Sequence, residues 1–270
     1  MAKSFLDSAS SAGGGSRQTL TLFAATAGVL ACGMLGFYVY SLHGHPPFLQ
    51  DKLGYVLGRD FLNTWFCGKA AYLPHPGRFY DHDLYMRWIN EAVPRDVFNH
   101  LWSYPPSLLL VAAPFGLLPY LPALAAWTCL GMLALYVAVR GAPLRTFAIL
   151  LSPASLFCLI DGQISLFLAA IILSALKLLD RRPITAGFLV ALCTIKPQTG
   201  LLWPLLLIAS QRWRVLAAAV CGTLLLVVAT ASYGGLISGA TISLSVCRLR
   251  QPILIIPSSP GPPPSRRRFS

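Results

Sequence analysis

Charge is scarce in this 270-residue chain: only 11% of its residues are charged, and nine of these are acidic. Soluble domains carry about 25% charged residues, so this chain lacks the side chains needed to cover a water-facing surface. Hydrophobic residues make up 56% of the chain and the mean hydropathy is +0.64. Several apolar runs approach or exceed the ~20 residues that cross a bilayer. The sequence therefore predicts an all-α polytopic membrane protein and excludes a disordered chain or a secreted disulfide scaffold.

The signature motifs of many soluble enzymes and metal sites are also missing. The chain contains no Walker sequence, no Gly-x-Gly-x-x-Gly and no nucleophile elbow, which argues against nucleotide cofactors and serine hydrolysis. The seven cysteines form no Cys-x-x-Cys pair, and the five histidines have no His-x-x-x-His or Glu-x-x-His spacing. Because metal ligands are usually clustered in such patterns, we predict no metal site and no cofactor.

The charges that are present are unevenly distributed. Most of the acidic residues and all five histidines fall within 43–104, which is close to neutral, whereas the net charge of +12 comes from short loops and the chain ends. Short basic loops mark the cytoplasmic side of a membrane, which places Arg17, Arg181 and Arg212 inside and residues 43–104 outside. A nucleic-acid partner would require a basic stripe on a folded face, and none is expected.

Hydropathy divides the chain into three predicted parts. Residues 1–19 form a flexible cytoplasmic tail, residues 20–240 a transmembrane domain with a large external loop at 43–104, and residues 241–270 a tail rich in Pro, Ser and Arg. About 7–8 transmembrane helices are expected, with the number of crossings within 107–139 left open. Inside the loop, residues 60–72 and 83–90 suit short amphipathic helices at the membrane surface.

Three polar motifs interrupt or flank the apolar runs: Arg59-Asp60, Asp161-Gly162-Gln163 and Lys196-Pro197-Gln198. Counting outward from the basic loops places all three on the external face. Polar groups within or beside membrane spans are costly, so they are functional hypotheses by default. Alternatives remain open for each: an ion pair of Asp60 with Arg59 or Lys69, a plain turn at 161–163, and a lysine that snorkels to the interface.

Short motifs recur around these residues in a fixed order along the chain. They are Arg59-Asp60-Phe61, Trp65, Gly68-Lys69-Ala70-Ala71-Tyr72, Tyr80-Asp81, Tyr104-Pro105-Pro106, Pro114-Phe115-Gly116-Leu117-Leu118-Pro119, Gly162-Gln163, Leu179-Asp180-Arg181-Arg182-Pro183, Ala186-Gly187, Lys196-Pro197-Gln198 and Arg212-Trp213-Arg214. Over residues 20–232 the ordered set resembles glycosyltransferase family 87. The best-known members of that family are polyprenyl-phosphate-mannose-dependent α-1,2-mannosyltransferases.

The resemblance implies a GT-C-type fold and a hexosyltransferase, in the first instance a mannosyltransferase. Such an enzyme takes a sugar from a polyprenyl-phosphate donor and transfers it to a lipid or glycan acceptor. It lies in the bacterial inner (plasma) membrane, with its N-terminus in the cytoplasm and its active site on the external, periplasmic face. By position, Asp60 matches the catalytic aspartate of the family and is the predicted general base.

The same motifs supply the remaining predicted site residues. The predicted substrate-binding residues are Arg59, Trp65, Tyr104, Gln163, Lys196 and Gln198. For Lys196 and Gln198, contact with a phosphate or sugar is inferred from their position and is not a family property. The alternatives to an active enzyme are a non-enzymatic transporter or flippase of lipid-linked sugars and an inactive, truncated relic.

The C-terminal region departs from the family pattern. Family members usually continue for more helices, whereas residues 241–270 form a Pro-rich tail that cannot pack as a membrane helix. We therefore expect this tail to be disordered or translated out of frame, and the chain to be C-terminally truncated relative to the family.

Overall fold

The computed structural model describes residues 2–44, 46–73, 76, 80–93, 102, 104–141 and 143–244. These residues form helices and no strand, apart from isolated bridges that join His43 and Val56 to Gln50. The prediction of an all-α protein is confirmed. The α-helices in chain order are α1 (Ala2–Ser41), α2 (Arg59–Ala70), α3 (His82–Ala92), α4 (Leu108–Gly116), α5 (Tyr120–Val139), α6 (Pro143–Leu150), α7 (Pro153–Asp161), α8 (Ser165–Leu178), α9 (Pro183–Leu192), α10 (Pro197–Gly200), α11 (Trp203–Ala209) and α12 (Trp213–Leu244).

Three helical segments in the described part of the chain are long and apolar enough to cross a membrane. They are Thr21–Ser41, Tyr120–Val139 and Trp213–Tyr233. The pair α6 and α7, bent by 46° at its break, gives a fourth span if the two are counted together. Three further apolar helices, Ser165–Leu178, Pro183–Ile195 and Pro197–Ala209, are shorter than a full crossing. The structure supports a multi-span membrane protein, and the total of 7–8 crossings stays a prediction.

Helix α1 is longer than its apolar part. The spanning segment begins at Thr21, close to the predicted start at residue 20, but helical geometry extends back to Ala2 through the segment expected to be a flexible tail. Side chains such as Phe23, Val29 and Phe37 are more than half exposed. An apolar helix with so much exposed surface suits contact with lipid rather than with water.

The two helices predicted within the external loop are present, and α2 is largely buried within the protein. Its bounds, Arg59–Ala70, agree with the predicted 60–72, and α3, His82–Ala92, contains the predicted 83–90. Helix α2 is buried on most sides by other helices, and Phe61, Leu62 and Phe66 are 0–1% exposed. Its predicted position at the membrane surface stays a prediction.

The reason for this burial is a close crossing between α2 and α4 at two glycines. A Cβ added at Gly68 would lie 2.3 Å from the carbonyl oxygen of Ala112, and one added at Gly116 would lie 2.2 Å from the carbonyl carbon of Gly68. Small residues at this crossing let the two backbones touch, as they do between helices in membranes. Helix α4 therefore packs directly against the backbone of α2.

A second core joins the C-terminal helices. Helix α9 packs against α8 and against α12. At the latter crossing a Cβ on Gly187 would lie 2.5 Å from the backbone oxygen of Val215. The turn between α8 and α9 is joined to the start of α12 by an ion pair in which Arg212 Nη1 lies 2.7 Å from Asp180 Oδ1. Of the predicted C-terminal tail, residues 241–244 continue α12, and the rest lies outside the described residues.

Candidate functional site

The position of Asp60 is set by a turn at the start of α2. Gly58, just before the helix, has a φ of +70°, in the left-handed region that glycine tolerates best. The Tyr120 hydroxyl donates to the carbonyl oxygens of Leu57 and Gly58, at 2.6 and 3.1 Å. A Cβ at Gly58 would also lie 2.7 Å from the side chain of Leu124. Helix α5 therefore fixes the turn from which Asp60 projects.

Neither basic residue considered as an ion-pair partner of Asp60 binds it in the structure. Arg59 Nη2 lies 3.2 Å from Asp161 Oδ2, and the Asp161 side chain is only 7% exposed. The ammonium group of Lys69 lies 4.4 Å from the centre of the Trp65 ring. Within the described part of the chain, the half-buried carboxylate of Asp60 has no ion pair and no hydrogen bond. A base that must accept a proton needs such an available carboxylate.

The Asp161-Gly162-Gln163 motif ends α7 directly beside α2. Gly162 has a φ of +64°, and a Cβ there would lie 2.5 Å from Cβ of Phe61. The Trp127 indole donates to the carbonyl oxygen of Gly162 at 2.9 Å. The motif is more than a plain turn, because its glycine allows the end of α7 to touch the first turn of α2.

Gln163 lies just before α8, and its side-chain amide oxygen accepts hydrogen bonds. Its Oε1 accepts from the Ser165 hydroxyl at 3.2 Å and from the Cys158 thiol at 3.7 Å. Within the described residues the amide nitrogen of this side chain donates to no partner, so it is available for a ligand.

Lys196 belongs to the same region of the molecule. The Cys158 thiol is within electrostatic range of Asp60, Asp161 and Lys196, so the three polar motifs approach the same part of the molecule. Lys196 is half-buried, and among the residues that the structure describes its ammonium group has no ion pair or hydrogen bond. Gln198, two residues further along in α10, is exposed.

Tyr104 and Trp65 have different positions relative to this region. Burial raises the pKa of the half-buried Tyr104 phenol, and the negative charge of Asp60 raises that pKa further, which places the phenol near the carboxylate. Trp65 is instead part of the core, where its indole donates to the carbonyl oxygen of Leu118 at 3.0 Å. Its predicted contact with substrate remains a prediction.

Sequence reasoning missed the partner of Arg59. Asp161 was noted as part of a polar motif but was not chosen as a site residue, and it lies 102 positions away from Arg59. The available signal was an acid at the end of an apolar run, which requires a partner. No group of three or more His, Cys, Asp or Glu in the described ranges is arranged to hold a metal ion.

Comparison with known proteins gives one family match. The profile of glycosyltransferase family 87 matches residues 102–241, which is more than half of the chain. The chain belongs to glycosyltransferase family 87. Family membership identifies it as a glycosyltransferase and favours an enzyme over a transporter. The family match includes Tyr104, Asp161, Gln163 and Lys196 and begins after Asp60. No curated protein and no solved structure matches the chain.

Proposed function

We propose that this family 87 protein transfers a hexosyl group, in the first instance mannosyl, from a polyprenyl phosphate to a lipid or glycan acceptor, with Asp60 as general base. The observation that carries this proposal is the state of the Asp60 carboxylate. Its neighbour Arg59 is bound to Asp161, and Asp60 itself has no partner within the described residues. Asp60 therefore meets a base's first requirement, an accessible lone pair beside a fixed helix start.

The reaction moves one proton and exchanges one bond at the anomeric carbon. Asp60 takes the proton of the acceptor hydroxyl as that oxygen attacks the anomeric carbon of the donor sugar. The bond between this carbon and the phosphate oxygen breaks, and polyprenyl phosphate leaves with the bonding electrons. Attack opposite the leaving group inverts the configuration. General-base assistance of this kind contributes about 10²–10⁴-fold to the rate.

The donor phosphate lies on the Lys196 side of the site. An ammonium group between apolar helices costs a few kcal/mol unless an anion neutralises it, and none of the described acids does so. An apolar cavity of about 280 Å³ lies between α9, α11 and α12. Thr194 and Gly200, which flank Lys196 in sequence, line it together with Trp203 and Leu207. This cavity accommodates the first isoprene units of a polyprenyl chain whose phosphate contacts Lys196.

The site faces the external side of the membrane. Helices α8 and α9 pack side by side, so Gln163 and Lys196 lie at one end of this pair and the basic turn with Arg181 and Arg182 lies at the other. The 14 residues of α8 separate the two ends by about 21 Å. Basic turns remain on the cytoplasmic side, which supports a site on the opposite, periplasmic face of a bacterial inner membrane.

The test is replacement of Asp60 by Asn, which keeps the size of the side chain but cannot accept the proton. We expect transfer from a polyprenyl-phosphate sugar to fall at least about 100-fold, because base catalysis is lost. The matched control is Asp83→Asn, because Asp83 is an exposed acid in the first turn of α3. This substitution removes the same charge from the same loop. Transfer is measured in membranes, with equal amounts of inserted protein.

Two results would contradict the assignment. Near-normal transfer by Asp60→Asn would show that the carboxylate is not the base. An equal loss in Asp83→Asn would show that the loop's overall charge, rather than the proton acceptor, controls the rate.

A further inference from the structure

A second cavity, of about 250 Å³, lies beside the ion pair of Arg59 and Asp161. It is formed by the last turns of the α1 span, the turn at 51–56, the start of α2 and the end of α7. The residues that line it and carry polar groups are Tyr38, Asp51, Tyr55, Arg59 and Asp161. Ligand cavities usually measure about 300–1,000 Å³, so this one suits a single small head group.

The charge of the cavity selects against anions. Arg59 is neutralised by Asp161 at 3.2 Å, which leaves the carboxylate of Asp51 as the unbalanced charge of the lining. One oxygen of that carboxylate accepts from the backbone N–H groups of Leu53 and Tyr55, at 2.9 and 3.0 Å. A phosphate placed here would be repelled, whereas a neutral group with hydroxyl donors would be attracted.

Hydrogen-bonding groups in the cavity remain available for such a ligand. The second carboxylate oxygen of Asp51 and the hydroxyl of Tyr38 have no hydrogen bond within the described residues. Tyr38 lies within electrostatic range of Asp51, Arg59 and Asp161, so these groups face a common space. The Arg59 guanidinium carbon lies over two aromatic rings, 5.1 Å from the Tyr55 ring centre and 5.9 Å from the Phe157 ring centre. A polar ligand with several hydroxyls would pair with the acceptors that water would otherwise occupy.

The remaining lining of the cavity is apolar and open toward the lipid. Met34 and Phe37 of α1 are 36% and 70% exposed, and Leu53 of the turn is 74% exposed. Met34 and Phe37 lie in the second half of the span Thr21–Ser41, and Leu53 follows the end of that span. The cavity therefore lies where a head group meets an acyl chain at the membrane surface.

We propose that this cavity binds the neutral, hydroxyl-rich sugar head group of the acceptor. The proposal rests on the proposed function and assigns the acceptor to the Asp51 side and the donor phosphate to the Lys196 side. The two sides meet at Asp60, which follows Arg59 in the first turn of α2 and lies within electrostatic range of Asp161. A head group seated against Asp51 and Arg59 thus presents a hydroxyl toward the base.

Binding can be measured apart from transfer in Asp60→Asn protein. The probes are two photoactivatable mannosides that carry the same diazirine, one on an octyl chain and one on a short soluble chain. After irradiation, the labelled peptides are identified by mass spectrometry. We expect labelling of the segments around Tyr38, Asp51 or Phe157, and weak labelling elsewhere. Stronger labelling by the octyl probe assigns the head group to a membrane-anchored acceptor, and equal labelling assigns it to a free glycan; both results support the proposal.

Two conservative variants test the assigned contacts in this background. Tyr38→Phe removes one hydroxyl and should lower labelling about 3–10-fold, and Asp51→Asn, which keeps the turn acceptor but removes the charge, should lower it about 10-fold. The matched control is Tyr40→Phe, because Tyr40 lies on the same helix, is 76% exposed and lies outside the cavity.

The proposal is overturned if labelling falls outside the cavity or if Tyr38→Phe and Asp51→Asn label as strongly as Tyr40→Phe. Competition by polyprenyl phosphate would also overturn it, because the cavity would then belong to the donor. These labelling results are distinct from the result that would contradict the proposed function, which is sugar transfer by the Asp60→Asn protein.

Discussion

The ion pair between Arg59 and Asp161 predicts unequal losses of stability when either partner is replaced. The side chain of Asp161 is 7% exposed and that of Arg59 is 29% exposed. Arg59→Gln leaves an uncompensated carboxylate in a site almost closed to water, which costs about 3 kcal/mol. Asp161→Asn leaves a guanidinium with access to water and an amide oxygen to bind, so its cost is about 1–2 kcal/mol. The acid is therefore the partner that depends more on the pair.

Thermal unfolding of the purified protein in detergent, followed by tryptophan fluorescence at neutral pH, measures the difference. At the sensitivity of chains of similar length, Tm should fall by ~6–12 °C for Arg59→Gln and by ~2–8 °C for Asp161→Asn, with the larger fall for Arg59→Gln. The double variant should lose about 1–2 kcal/mol less than the sum of the two single losses, because the residues contact each other. The control is Arg87→Gln, which removes an exposed arginine from α3. Equal losses for the single variants, or a purely additive double variant, would refute the reasoning.

Two further predictions concern packing and topology. Gly116→Ala forces a Cβ to within 2.2 Å of Gly68 and should destabilise the protein by about 3 kcal/mol. The control, Gly36→Ala, has nothing within 4 Å of the added carbon and should leave Tm unchanged. Equal Tm values for the two variants would argue against the close crossing. In a background without native cysteines, a cysteine at position 83 in place of Asp83 should react with a membrane-impermeant maleimide in intact cells and one in place of Arg181 should not. Equal labelling of both positions would contradict the predicted sidedness.

The helices of the external loop were predictable because each carries its signal within a few residues. Asp81 caps α3 by accepting from the backbone N–H of Leu84 at 3.1 Å, and such a cap is visible in sequence. The burial of α2 was not predictable in the same way. It depends on the contact between Gly68 and Gly116. Because these glycines are far apart in the sequence, their presence alone does not reveal which helices cross.

For the site as well, local patterns were predictable from the sequence and long-range pairings were not. The hydropathy pattern and basic loops indicated that the three polar motifs lie on one side, and in the structure Asp60, Asp161 and Lys196 are all within electrostatic range of the Cys158 thiol. The pairing inside that group was beyond local reasoning. Sequence offered Arg59 as a partner for its neighbour Asp60, but consecutive residues on a helix point about 100° apart. The guanidinium therefore reaches a carboxylate from another helix.

The crossing of α2 by later helices has a consequence for how the protein is made. Helix α2 leaves the ribosome before α4 and α5, yet Trp65 and Phe66 are buried only after those helices arrive. At about 5–20 residues per second, the ~70 residues between Ala70 and Val139 take roughly 4–14 s to synthesise. During that interval, helix α2 has been synthesised but α4 and α5, against which its aromatic side chains pack, have not. The turn that orients Asp60 is therefore completed late in biogenesis, when Tyr120 arrives to hold it.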